Sequence, residues 1–143
     1  LRLRLGVKGF EALPIALLVS VLLGACTLSL GIKCLTNLQK LAELQRGDES
    51  FNALVERARV VIAGGTGSVQ RVDLDLPNCK IVGEGRLLQL LVGEEVRRAE
   101  LVPLPILLDG REAWEIGGGS YLIELHRGPL GEYLLRLRRL QLE

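Results

Sequence analysis

The side chains that could carry chemistry in this chain are few, and their spacing works against it. His126 is the single histidine, beside Arg127 in "HRGPLGE", a segment that reads as a turn between strands. Asp73 and Asp75 lie two apart in the alternating run "SVQRVDLDLP", so on a strand they share one face with Arg71. That is a solvent face, not a carboxylate pair set across a cleft for acid and base work. Ser50, Ser68 and Ser120 sit in capping or turn contexts without a base nearby in sequence. "AGGTGS" has the glycines of a phosphate loop, but they follow a helix and no Lys-Ser/Thr succeeds them, so the segment reads as a helix stop. Cys26, Cys34 and Cys79 form no CxxC and have no histidine at metal-ligand spacing. Cys26 reads as a packing residue inside an apolar run. Cys34 and Cys79 are the pair that an oxidising exterior would let bridge. No catalytic residue, metal site or cofactor is expected, and the chain does not read as an enzyme.

The residue that stands out is Glu11, placed at the mouth of "VKGFEALPIALLVSVLLGACTLSLGI". Ala12 to Ile32 carries no charge over about 20 residues, which as a helix spans roughly 30 Å of hydrocarbon. Arg2, Arg4 and Lys8 precede it, so the N-terminal end is expected on the cytoplasmic side and the remainder outside. Beyond Lys33 the pattern stays helical. Leu35, Leu38, Leu41, Phe51, Leu54, Val55, Ala58 and Ile62 recur at three- and four-residue intervals, one apolar stripe on an otherwise polar helix. "RGDES" predicts a kink or short break near residues 46–50.

From Gly64 onward the period changes to that of strands. Val72, Leu74 and Leu76 alternate with charges, Pro77-Asn78 and "GEG" mark turns, and Pro103 and Pro105 must lie at an edge or off the sheet. Tyr121, Ile123 and Leu125 face one way, as do Tyr133, Leu135 and Leu137. The expected fold is α+β: a long hydrophobic N-terminal helix over residues 1–63, then an antiparallel, sandwich-like β head over 64–143. The chain has 143 residues, 18 basic and 17 acidic, for a net charge of +1, and lacks a long basic run, which argues against a nucleic-acid partner.

In this order of parts the chain resembles an archaeal type IV pilin, from about Lys8 to Leu140. The residues that carry the resemblance are "KGFE" before the uninterrupted apolar helix, "SFNALVERARVVIAGGTGSVQRVDLDLPN" at the passage into the head, and "ELVPLPI" and "GGGSYLIELHRG" in its later strands. Lys8, Gly9 and Phe10 look like the junction read by a prepilin peptidase. Glu11 is only the second residue after Gly9, whereas the bacterial pattern has its acid at the fifth. Processing ahead of Leu1 is the expectation that accommodates residues 1–9. The resemblance implies a major structural subunit of an extracellular pilus, held in the cytoplasmic membrane before assembly and used for adhesion. It would polymerise with copies of itself through the helix, with help from a separate assembly ATPase and a membrane platform. Gly24, Ala25, Ser29 and Gly31 would let helix backbones approach closely. Pro14 is tolerated where its freed carbonyl finds another donor. Glu11 would pair with a basic group of an adjoining subunit. The rival readings are a minor pilin or pseudopilin of a secretion machine and a monomeric, membrane-anchored binding domain.

Overall fold

The computed structural model describes the backbone from residue 2 to residue 141 and the side chains from residue 14 to residue 141. Helix α1 spans Arg2–Gly64 and is followed by eight strands: β1 (Val69–Leu74), β2 (Cys79–Glu84), β3 (Leu87–Val92), β4 (Glu95–Leu101), β5 (Ile106–Leu108), β6 (Ala113–Ile116), β7 (Gly119–Arg127) and β8 (Tyr133–Arg139). The class is α+β, as the change of period implies. The chain divides into two compact units, Leu1–Leu41 and Ala42–Glu143. The second unit therefore contains the last six turns or so of α1 as well as all the strands.

Helix continuity through Arg46–Ser50 differs from the break that "RGDES" predicts. The physical reason lies in what these residues meet. Gly47 is buried, with the Cys79 Sγ only 2.9 Å from where its Cβ would stand, so the glycine admits a strand residue against the helix. Asp48 takes a two-pronged hydrogen bond from Arg97, Nε to Oδ1 at 3.0 Å and Nη2 to Oδ2 at 2.9 Å. The Ser50 hydroxyl, buried, donates to the Asp75 carbonyl and accepts from the Asp75 N–H, both at 2.9 Å. Tertiary partners thus offset the weak helix propensity of the segment. The helix stops at Gly64. Gly65 takes the left-handed conformation, with φ of 80°, that ends a helix at small cost only when no Cβ is present.

Two four-stranded sheets make the head, in the orders β1-β7-β8-β5 and β4-β3-β2-β6. All pairings are antiparallel except β5 with β8, where Ile106–Leu108 runs parallel to Leu135–Leu137. That exception follows from the connection through Pro103 and Pro105. Both prolines lie outside the strands, and the chain there crosses from one sheet to the other instead of turning back as a hairpin.

On one side of the head, β5 and β6 come together. The Trp114 indole N–H donates to the Ile106 carbonyl at 2.8 Å, and Trp114 lies over Gly83 of β2. On the other side, α1 runs between the two remaining edges. Arg57 reaches Gln70 of β1 at 2.9 Å, and Arg59 reaches Glu100 of β4 at 2.9 Å. The helix thereby covers two edges that would otherwise invite foreign strands. Its buried stripe is Phe51, Leu54, Val55, Ala58 and Val61. It packs in one core with Val72 and Leu74 of β1, Ile81, Leu88 and Leu90 of the second sheet, and Ile123, Leu135 and Leu137 of the first. Val61, not Ile62, is the last fully buried member, and Tyr133 is 46% exposed although its strand parity points inward.

Candidate functional site

Among the described residues, the part of the first unit from Pro14 onward is uncovered. From Pro14 to Ala42 every residue of α1 is exposed, and the large apolar ones, from Ile15 through Leu41, are mostly about 60% exposed. This helix is long and apolar enough to cross a membrane. Within the apolar run the Ser20 and Thr27 hydroxyls donate to the carbonyls four residues earlier, at 2.8 and 2.7 Å, as Thr36 does beyond it at 2.8 Å, so each of these three finds its acceptor inside the helix. Pro14 lies inside the helix.

An added Cβ at Gly24 or Gly31 would meet nothing within 4 Å. These glycines are therefore not required by packing within the chain, in contrast to Gly47 and Gly83. At about 100° per residue, Gly24 and Gly31 fall within ~20° of one another, and Ala25 and Ser29 within ~40°. The second pair stands roughly 100–140° around the helix from Gly24, so the four expected contact residues form two narrow stripes, not one. Lys8, Gly9, Phe10 and Glu11 lie outside the residues whose side chains are described.

Cys34 of the first unit and Cys79 of the second, the pair that could bridge, carry free thiols, and Cys79 is packed against Gly47 of the helix. Partial burial pushes the Cys79 thiol above its ordinary pKa, and the carboxylates of Asp75, Asp48 and Glu43 add to the shift. His126 is exposed at the end of β7, not in a turn. Asp73 accepts hydrogen bonds from the Ser120 hydroxyl and the Arg71 guanidinium, which hold its carboxyl below the usual range, the Ser120 bond foremost. Among the described residues no three His, Cys, Asp or Glu side chains converge as metal ligands would.

The clefts of the head are shallow. One of about 450 Å3 runs beside α1, where Arg59 is paired with Glu100 and Arg98 with Asn52. Another of about 350 Å3 is apolar, lined by Ile62, Pro103, Leu104, Leu125 and Tyr133.

A long apolar N-terminal helix that continues into the core of a two-sheet β head is a pilin-like architecture. It fits a pilin-like or membrane-anchored protein and suggests membrane association or export. No family model, curated protein or solved structure matches the chain.

Sequence reading missed one surface. In β3, "LLQLLV", apolar residues occupy both parities, so the strand supplies the core with Leu88 and Leu90 and still points Leu87 and Leu91 outward. The signal was the absence of alternation, which marks a strand with no polar face.

Proposed function

We propose that the protein is a major structural subunit of an extracellular type IV pilus-like filament that polymerises through its N-terminal helix and serves adhesion. The observation that carries this reading is where the uncovered apolar surface ends. Ile32 closes a run long enough for the bilayer, yet Leu35, Leu38 and Leu41 continue beyond it at 61–62% exposure. A lone anchor would leave these leucines in water. A bundle of helices from many copies buries them together with the span, and exchanges lipid contacts for protein contacts along its whole length. The glycines at 24 and 31, free of any internal constraint, suit close approach between such helices.

On this reading Lys8-Gly9-Phe10 belongs to the junction recognised by a prepilin peptidase. An assembly ATPase and membrane platform would supply the work of extraction. Glu11 pairs with a cationic group of a neighbour, since an unpaired carboxylate in an apolar bundle is costly. Glu11→Ala is expected to leave membrane insertion intact and to abolish filaments.

Electron microscopy of the full chain, expressed with its assembly machinery, tests the proposal. Filaments with this chain as the dominant subunit and a regular axial rise are expected. Scarce copies within a filament made mostly of another subunit would favour the minor-pilin reading. Monomers that remain in the membrane fraction would favour the anchored binding domain.

A further inference from the structure

The outward side of the second sheet carries an apolar surface that nothing among the described residues covers. Lys80, Val82 and Glu84 of β2 point outward there, with Leu87, Gln89 and Leu91 of β3 beside them. Across β4 the register sets Leu101 opposite Leu87 and Ala99 opposite Gln89. A regular strand would then turn residue 96 inward, because side chains alternate. A register shift between Leu90 and Leu91 prevents this, and Val96 pairs with Leu91 instead. Arg98, opposite the core residue Leu90, already faces the helix and meets Asn52; the bulge turns Arg97 to the same side, where it meets Asp48, and returns Val96 to the outer face. Val96 is 52% exposed and Leu101 66%. An antiparallel sheet with one side in the core ordinarily shows water a polar face, so an apolar outer face marks a contact surface.

We infer that this face binds the first sheet of a second copy, stacking the heads front to back. Charge argues for that occupant. On the apolar face Lys80 is already paired with Glu115 at 2.8 Å. Glu84 remains, with Glu94 and Glu95 at the adjoining turn, and all three are exposed. The outer face of the first sheet carries more base than acid. Arg71 is held by Asp73, Glu124 of β7 stands opposite Arg136 of β8 between the half-buried Leu122 and Leu134, and Arg138, opposite Leu122, is left exposed without a facing acid. The two faces differ, so their contact is heterologous and propagates from copy to copy instead of closing a pair.

Size argues that the contact works only between tethered copies. Three strands of six or seven residues cover a plane of roughly 20 by 14 Å. A free, stable complex needs about 800 Å2 of accessible surface from each partner. Helices packed in a common bundle would hold the heads at a high effective concentration, where so small a face suffices. This step rests on the filament reading above.

The experiment is thiol protection in the full chain with Cys26, Cys34 and Cys79 replaced by serine. Leu101→Cys and Arg138→Cys are introduced singly and treated with a maleimide, in assembled filaments and in detergent-dispersed monomers. Both sites are expected to react at least tenfold more slowly in filaments, while Leu130→Cys, on the turn between β7 and β8, keeps its monomer rate. Filaments in which Leu101→Cys or Arg138→Cys reacts at the monomer rate overturn the stacking alone. Preparations without filaments by microscopy overturn the filament reading and the stacking with it.

Discussion

Gly83 shows how a single position sets the packing of a sheet. It sits on β2 opposite Trp114 of β6, and the indole lies where a Cβ would project. Gly83→Ala is expected to force the ring aside, strain its hydrogen bond to Ile106, and cost ~1–3 kcal/mol, read as a lower midpoint in chemical denaturation. Asp48 gives the head an acid-sensitive contact. Its hydrogen bond from Arg97 is the main cause that lowers its pKa, and attraction to Arg97 and Arg98 adds to it against partial burial. A carboxylate with a depressed folded-state pKa contributes stability above its unfolded value near 4, and that contribution fades as pH falls through the lower folded value. Asp48→Asn should therefore narrow the stability difference between pH 7 and pH 3. The pair is partly exposed and screened by solvent, so the loss at neutral pH is about 0.5–1 kcal/mol. Equal acid sensitivity in the variant and the parent would show that Asp48 is not the titrating contact. The sequence revealed neither residue's role. A glycine in a strand and an aspartate after a glycine name no partner until the fold supplies Trp114 and Arg97.

At the scale of elements, α1 is one helix with two environments. Its periodicity was legible on either side of residues 46–50, because leucines and valines at three- and four-residue spacing declare a face. What covers that face was not legible. The spacing that leaves Leu35, Leu38 and Leu41 exposed buries Phe51, Leu54 and Ala58 further along the same helix. The apparent weak point at Gly47 was misleading for the same reason, since the contact that keeps it helical comes from Cys79, on a strand distant in sequence. Strand alternation was clearest where one side meets water, as in β1, and silent in β3, where both sides are apolar. Phe51 is fully buried and lies under the Arg98 guanidinium, 5.2 Å from the ring centroid. Phe51→Ala is expected to cost ~3–5 kcal/mol and to lower the thermal transition of the whole head. If the loss were confined to helical signal while the strands melted as before, the helix would not belong to the head's cooperative core.

For the whole molecule, the two stretches of one helix separate folding from assembly. The head carries its own core, from Phe51 to Leu137, and among the described residues that core uses no apolar residue before Phe51. The exposed leucines between Ile32 and Ala42 are therefore free to serve contacts outside the chain. That division makes Leu38→Gln with Leu41→Gln a discriminating variant. Both positions are 61% exposed, so the substitution removes nothing from the head, and its thermal transition should stay within about 0.5 kcal/mol of the parent, as for surface changes generally. Membrane insertion should also persist, because the run from Ala12 to Ile32 is untouched. A helical bundle, however, would have to bury two amides per copy along its seam. Each amide without a partner costs roughly 1–3 kcal/mol, and every subunit repeats the penalty. The expected result is a folded, membrane-inserted chain whose filaments are lost or shortened under the microscope. Filaments of normal length and number from this variant would place the leucines outside any helix seam. The region above the bilayer would then be a solvated stalk, as in an anchored monomer.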